Sequence, residues 1–343
     1  MNIKKKIRVL VVDDSIVYRE LISKGISEDP GIDVVATAID PYDARDKIIE
    51  YQPDVMTLDV EMPKMNGIEF LRKLMPQYPI PVIVISSASK SVFDALNAGA
   101  VDFVAKPDMN AGRNIESYIN ELVIKIKIAS TANLSHWKKD LKKVISYEKK
   151  SCWNNKLIAI GASTGGTEAI FSVLKSLPKD MPGIVIVQHM PPVFTNMYAQ
   201  RLDNNVALRV KEAETGDIVQ QGCALIAPGD AHMKVVKSGS TYKVVCFKGE
   251  KVNGHCPSVD VLFNSVAQEA GKNAIGVILT GMGYDGAKGL LSMRKNGART
   301  VGQDQHSSVV YGMPKVAYDL GAVEEQAALV NIPKIIYSFL KDY

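Results

Sequence analysis

Short runs of apolar residues recur along the first third of the chain, and segments with helical spacing separate them. Residues 7–12 (IRVLVV) are apolar except for Arg8, and residues 80–85 (IPVIVI) are an unbroken apolar run. A run of this length without polar interruption is typical of a parallel strand that is buried on both faces. Helical patterns over residues 16–27 and 40–51 alternate with such runs. The alternation predicts an open, doubly wound parallel sheet of α/β type.

The same alternation resumes at residue 156 and continues to the end of the chain. Its clearest apolar runs are LIAI at 157–160, IVIVQ at 184–188 and AIGVILT at 274–280. We therefore predict two α/β domains, each a doubly wound parallel sheet. The predicted bounds are residues 5–125 for the first domain, 126–154 for a linker and 155–343 for the second domain.

Composition narrows the class of protein. The 343 residues are 46% hydrophobic and 23% charged, which argues against disorder, and the net charge of +4 is too small to imply a nucleic-acid partner. No apolar run reaches the roughly 18 residues that a membrane helix needs, and the start lacks a signal-peptide pattern. The four cysteines have no C-x-x-C spacing and are expected to be reduced thiols. We expect a cytoplasmic protein without membrane insertion.

The predicted linker is rich in lysine. Leu134, Trp137, Leu141 and Val144 recur at helical spacing, and six lysines lie between residues 138 and 150. The segment is either a basic amphipathic helix that touches a membrane or an acidic partner, or a solvated helix packed on one domain. Because the segment is short and single, the second interpretation is favoured.

Polar residues follow the predicted strands of the first domain, where the ligands of such sheets bind. They are Asp13, Asp14, Asp59, Ser86 and Lys106. Any one of them is an ordinary polar strand terminus, but five together favour a site. Three neighbouring carboxylates repel one another unless a divalent cation lies between them, and oxygen ligands favour Mg²⁺.

This pattern resembles the response-regulator receiver domains, which have a flavodoxin-like fold, over about residues 5–125. The resemblance implies phosphorylation by a histidine kinase and an inward turn of an aromatic switch residue on phosphorylation. It implies these roles: Asp59 as phosphoacceptor, Asp13 and Asp14 as Mg²⁺ ligands with it, Ser86 and Lys106 on the phosphoryl oxygens, and Phe103 as the switch.

The second domain carries a reactive residue after each of three predicted strands, namely Ser163, His189 and Asp285. The turn GASTGG at 161–166 fits G-x-S-x-G, a nucleophile turn, although glycines between a strand and a helix can also cradle a phosphate. A dinucleotide fingerprint would need glycine in place of Ser163, and a Walker A loop would need a lysine. A serine nucleophile needs an imidazole base and an orienting carboxylate. The three residues together therefore favour a hydrolase.

Five motifs extend the resemblance to nearly the whole chain: GASTGG, QHM, APGD at 227–230 with His232, HCPSVDVLF at 255–263 and GMGYDG at 281–286. Both halves in this order resemble the chemotaxis response-regulator methylesterases, the CheB-type family, whose second domain is Rossmann-like. The resemblance implies hydrolysis of glutamate methyl esters on methyl-accepting chemotaxis receptors, often with deamidation of receptor glutamines. It also implies a chemotaxis histidine kinase as partner.

The resemblance assigns the roles in the second domain. Ser163 is implied as the nucleophile, His189 as general base and then acid, and Asp285 as the orienting carboxylate. Residues implied to line the cleft or to contribute to the oxyanion site are Thr164, Met282, Gly283 and His255. No cofactor is expected for hydrolysis. His232 and His255 with His189 and Asp285 leave zinc as an alternative, but ligand pairs with short spacing are absent from the sequence.

Two other function classes are weighed. A transcriptional response regulator would carry a short helical output domain with a basic recognition helix, whereas this output half has about 190 residues of α/β pattern. An inactive adaptor would use the same fold, and only an assay separates it from an enzyme. We expect an esterase that its receiver inhibits until Asp59 is phosphorylated.

Overall fold

A computed structural model of the chain describes residues 5–87, 91–107, 115–134, 153 and 155–341. It divides into two compact units, Met1–Lys139 and Asp140–Tyr343. Most of the lysine-rich segment, for which a helix was predicted, lies outside the described residues. The predicted start of the linker at residue 126 falls inside a helix that continues to Ala129.

The first unit is a five-stranded parallel sheet with the strand order β2-β1-β3-β4-β5. Its strands are β1 (Ile7–Val12), β2 (Ile32–Ala38), β3 (Val55–Asp59), β4 (Val82–Ser86) and β5 (Asp102–Ala105). Its helices are α1 (Ile16–Ser27), α2 (Pro41–Tyr51), α3 (Gly67–Leu74), α4 (Ser91–Asn97) and α5 (Ile115–Ala129). All residues of β3 and β4 are buried, as unbroken apolar runs predict.

Local capping fixes where helices of this unit begin. The Asp40 carboxylate accepts hydrogen bonds from the backbone N–H groups of Tyr42 and Asp43, both at 3.0 Å, and Pro41 occupies the first turn. Asn66 caps α3 through the N–H of Glu69. Each cap marks the end of a loop that follows a strand. Because the strands are parallel, these loops and the polar residues at the strand ends lie at one edge of the sheet.

The second unit contains a seven-stranded parallel sheet with the order β14-β13-β12-β6-β7-β9-β8 and a separate antiparallel hairpin, β10-β11. Its strands are β6 (Leu157–Ala162), β7 (Gly183–Gln188), β8 (Arg209–Glu212), β9 (Cys223–Ile226), β10 (His232–Ser238), β11 (Thr241–Phe247), β12 (Ala274–Ile278), β13 (Arg299–Gln303) and β14 (Glu325–Ala327). Its helices are α6 (Gly166–Lys175), α7 (Phe194–Asp203), α8 (Val259–Glu269), α9 (Ala287–Lys295), α10 (Met313–Asp319) and α11 (Ile332–Lys341).

The fold class predicted from the sequence is confirmed, because both units are parallel sheets with alternating helices. The central strand β6 pairs in parallel with β12 on one side and with β7 on the other. The three apolar runs that precede Ser163, His189 and Asp285 are thus adjacent strands. None of the described helices is both long and apolar enough to cross a membrane.

Candidate active site and acidic pocket

The carboxyl ends of β6, β7 and β12 are joined by backbone hydrogen bonds. The N–H of Ser163, the first residue after β6, donates to the Thr280 carbonyl oxygen at 3.0 Å. The N–H of His189, the first residue after β7, donates to the Ala162 carbonyl oxygen at 3.2 Å. These bonds hold the segments of Ser163 and His189 at one edge of the sheet.

A buried side chain also joins the two segments. The side-chain amide nitrogen of Gln188, Nε2, donates to the carbonyl oxygens of Ser163 at 2.9 Å and of His189 at 3.1 Å. Gln188 is 3% exposed. Its place in the QHM motif was noted from the sequence, but its contacts could not be read there because they depend on the pairing of β6 with β7.

The imidazole of His189 is paired with the carboxylate of Asp285. Nε2 of His189 lies 2.9 Å from Oδ2 of Asp285, and both side chains are almost fully buried. Nδ1 of His189 is buried and has no hydrogen-bond partner among the residues that the structure describes. Since Asp285 accepts, Nε2 carries the proton and the lone pair of Nδ1 is left to accept another.

Asp285 is held by more donors than His189 alone. Oδ2 also accepts from the N–H of Val259 at 2.7 Å, and Oδ1 accepts from the hydroxyl of Ser258 and the amide of Asn253, both at 2.8 Å. Burial alone would raise the pKa of Asp285, but the hydrogen bonds from His189, Asn253 and Ser258 outweigh it and hold that pKa well below its ordinary value. The carboxylate is therefore ionised.

His255 lies against the base. Its ring stacks on the His189 ring with the centroids 3.7 Å apart and the planes 12° apart. Burial and then the neighbouring His189 lower the pKa of His255 to about 4, so its imidazole is neutral near neutral pH. The sequence predicted only that His255 lines the cleft.

Both ring nitrogens of His232 are hydrogen-bonded to backbone groups. Its Nε2 lies 2.9 Å from the Glu250 carbonyl oxygen, its Nδ1 accepts from the N–H of Ser258 at 3.2 Å, and the residue is 2% exposed. Within the described part of the chain, the one group of three or more side chains placed to share a metal is in the first unit. With both ring nitrogens engaged in this way, His232 anchors the loop that carries Ser258.

The backbone hydrogen bonds limit which N–H groups are available to donate to an oxyanion. The N–H of Ser163 is used by Thr280, so the serine itself is not a donor. The N–H groups of Met282 and Gly283 have no acceptor among the residues that the structure describes. Gly283 N lies close to Gly312, 3.0 Å from the position a Cβ on Gly312 would take. The same position lies 3.0 Å from Cα of Met282, so both N–H groups remain candidates.

The acidic residues of the first unit lie together. Ligand oxygens of Asp13, Asp14 and Asp59 all lie within 4.8 Å of one another. The ammonium of Lys106 lies 2.7 Å from Oδ2 of Asp59 and 3.0 Å from Oδ2 of Asp13. Burial raises the pKa of both Asp13 and Asp59 despite Lys106. An all-oxygen set with excess negative charge fits Mg²⁺.

Ser86 and Phe103, implied above as a phosphoryl contact and as the switch residue, are both buried. Ser86 is fully buried, and its hydroxyl has no partner among the described residues, which fits a group that awaits a ligand oxygen. Phe103 is already only 3% exposed, with the Lys125 ammonium 5.0 Å from its ring centroid. The inward turn of Phe103 on phosphorylation stays a prediction.

Comparison with known proteins shows which families this chain resembles. A family model described as CheB methylesterase matches residues 158–336, and one described as response regulator receiver domain matches residues 9–115. The protein-glutamate methylesterase/protein-glutamine glutaminase 2 of Syntrophomonas wolfei is 59% identical over 336 residues, 98% of each chain. The enzyme of that description from Syntrophotalea carbinolica is 54% identical over 97% of each chain. The crystal structure of the Thermotoga maritima CheB methylesterase catalytic domain covers 55% of this chain and 98% of its own, with 37% identity and a TM-score of 0.52.

Proposed function

The chain belongs to the CheB methylesterase family, and we propose that it hydrolyses methyl esters of glutamate side chains on methyl-accepting chemotaxis receptors. The observation that carries the proposal is the His189–Asp285 pair. Nδ1 of His189 has no hydrogen-bond partner among the described residues, and backbone hydrogen bonds join the segments of His189 and Ser163. A buried, oriented base beside a serine on a strand-to-helix turn is the arrangement that acyl transfer through serine requires.

In the proposed reaction, Oγ of Ser163 attacks the ester carbonyl carbon while Nδ1 of His189 takes the hydroxyl proton. Collapse of the tetrahedral intermediate breaks the bond to methoxide, which takes that proton from His189 and leaves as methanol. Water then attacks the acyl-serine with His189 again as base, and the glutamate carboxylate is released. Asp285 remains ionised and stabilises the imidazolium in both halves of the reaction.

The developing oxyanion needs donors that are not already used. We assign this role to the N–H of Met282, with Gly283 and Thr164 as neighbours in the cleft. The Ser163 N–H is excluded because it donates to Thr280. Met282 is 46% exposed, so a substrate on the surface of a receptor can reach this turn.

The same acyl-serine forms from a glutamine side chain with ammonia as the leaving group. We therefore propose that the chain also deamidates receptor glutamines, as the printed descriptions of its relatives suggest. An amide nitrogen is a poorer leaving group than methanol, so the demand on His189 as general acid is greater in deamidation.

Phosphorylation of Asp59 by a chemotaxis histidine kinase is proposed to raise the rate of hydrolysis. Asp13, Asp14 and Asp59 would hold Mg²⁺, which supplies charge neutralisation for phosphoryl transfer to the carboxylate. Lys106 lies where it can bind a phosphoryl oxygen, and the buried hydroxyl of Ser86 can bind another. Both side chains are available without any change in the sheet.

The test is release of methanol from methylated receptor by the purified full chain. Ser163→Ala should reduce the rate by several orders of magnitude, as loss of a serine nucleophile does in other triads, whereas Ser240→Ala on the exposed β10–β11 turn should not. Matching thermal unfolding curves would show that both variants fold. Near-normal release from folded Ser163→Ala would reject the proposal, and no release from the wild type would favour an inactive adaptor.

A further inference from the structure

In the second unit, the first N–H groups of α8 and of α9 each donate to a buried carboxylate that lies in or beside the other helix. Asp285 immediately precedes the start of α9, yet its carboxylate accepts from the N–H groups of Val259 and Asp260 at the start of α8, at 2.7 and 3.2 Å. Asp260 belongs to α8, yet its Oδ1 accepts from the N–H of Gly289 in the first turn of α9 at 2.6 Å. Each helix N-terminus is thus satisfied by an acidic residue next to the other, where the helix dipole favours negative charge.

Asn253 lies between the two carboxylates. Its Nδ2 is 2.8 Å from Oδ1 of Asp285 and 2.7 Å from Oδ2 of Asp260. An amide –NH₂ carries two hydrogens, so one side chain can donate to both acceptors. The backbone of Asn253 has φ of +53°, a left-handed conformation that asparagine adopts more readily than most residues. The residue type therefore suits both the backbone and the bridge.

The bridge leaves Asp285 one orientation. Its Oδ1 accepts hydrogen bonds from the Asn253 amide, the Ser258 hydroxyl and the N–H of Asp260. Its Oδ2 accepts from the N–H of Val259 and from Nε2 of His189. The five donors fix the plane of the carboxylate, because a partial rotation would lengthen these hydrogen bonds and misalign the one to Nε2 of His189. Without Asn253, Oδ1 would also face the Asp260 carboxylate, which is buried and carries like charge.

We propose that Asn253 is a positioning residue for Asp285, and that Asp260 fixes Asn253 by accepting its second hydrogen. Through Asp285 the bridge keeps the proton of His189 on Nε2 and the lone pair of Nδ1 toward Ser163. The inference rests on the proposed role of Asp285 in hydrolysis. It adds two residues of this chain, one on a loop and one on a helix, that act on the base without touching substrate.

The matched pair of variants is Asn253→Gly and Asn155→Gly in the full chain. Asn155 also has a left-handed backbone, with φ of +60°, but is exposed ahead of β6, at the end of that strand remote from Ser163. Glycine suits both positions, so the pair differs mainly in the loss of the bridging amide. Asn253→Asp is a second variant of nearly equal shape, in case Asn253→Gly does not fold.

Two readouts separate positioning from a structural role. The first is kcat and KM for methanol release, where Asn253→Gly should lower kcat by on the order of 10²-fold with little change in KM, and Asn155→Gly should change neither. The second is the low-field proton resonance of His189 Nε2–H in ¹⁵N-histidine-labelled protein, assigned by its absence from His189→Gln. This resonance should shift or broaden in Asn253→Gly and Asn253→Asp.

A folded Asn253 variant with kcat within about twofold of the wild type, or with an unchanged resonance, would overturn the inference. The resonance requires no turnover, so it tests the bridge even if Ser163→Ala shows the proposed reaction to be wrong. Failure of the bridge and failure of the proposed function are thereby distinguished.

Discussion

The imidazole rings of His189 and His255 are stacked, with centroids 3.7 Å apart and planes inclined by 12°. Two parallel rings in a buried site cannot both carry a positive charge at low cost. Burial, with the charge of His189, lowers the pKa of His255 to about 4, from an unfolded value near 6.5. In the proposed reaction, His189 therefore takes up its proton beside a neutral ring.

This lowered pKa predicts a pH dependence of stability. Between about pH 6.5 and pH 4 the unfolded chain binds a proton at His255 that the native state does not, so the free energy of unfolding falls as the pH decreases through that window. His255→Phe keeps a ring for stacking and removes this titration. Its loss of stability between about pH 7 and pH 5, measured by urea denaturation, should be smaller than that of the wild type. Equal losses would contradict the prediction.

A second prediction concerns the packing around the nucleophile. A Cβ on Gly281 would collide with Sδ of Met313 and would lie 2.7 Å from Cβ of Ser163 and 3.0 Å from its nitrogen. Even if the Met313 side chain moves, Gly281→Ala must displace the serine or the turn that carries Gly281. The activity should fall by on the order of 10²-fold. Gly276→Ala, in β12, would press on the side chains of Leu290 and Met293 instead.

Gly276→Ala is the control for Gly281→Ala because overpacking there should lower stability by about 1–3 kcal/mol and leave kcat of the folded protein nearly unchanged. Methanol release and thermal unfolding measured on both variants separate the two effects. A Gly281→Ala protein with normal kcat would show that the Ser163 turn tolerates displacement.

Gln188 provides a third prediction. Gln188→Leu removes donors from the buried carbonyls of Ser163 and His189 and should lower the free energy of unfolding by about 1–3 kcal/mol. Gln188→Glu should be more destabilising near neutral pH, because a carboxylate would face two carbonyl oxygens. Denaturant titrations of the wild type, Gln188→Leu and Gln188→Glu would give their order of stability. If Gln188→Glu were as stable as the wild type, the amide would not be needed.

The acidic pocket gives a fourth prediction. With Mg²⁺, acetyl phosphate should label the wild-type chain and raise its rate of methanol release, whereas Asp59→Asn should show neither response. Chelation of divalent cations should prevent the labelling of the wild type without lowering its basal hydrolysis. Labelling that persists under chelation, or in Asp59→Asn, would remove Asp59 and its neighbours from the proposed role.

The sequence predicted those parts of the fold that depend on local pattern. Unbroken apolar runs identified the buried strands, and polar residues directly after them identified Asp59, Ser163 and His189 as candidates. The β10–β11 hairpin was not predicted, because the surrounding pattern indicated only a continuing α/β alternation. Asn253 was missed because the bridge needs Asp285, 32 residues away in sequence, to lie beside Asp260, and that approach depends on how α8 and α9 pack.

The exchange of helix ends between α8 and α9 has a consequence for local motion. The amide hydrogen of Val259 is bonded to Asp285, just ahead of α9, and that of Gly289 is bonded to Asp260 in α8. Neither should therefore exchange with solvent through fraying of its own helix alone. Opening either end releases a buried charge as well as a backbone group. The beginnings of both helices should therefore open together, as one cooperative unit that includes the carboxylate of Asp285.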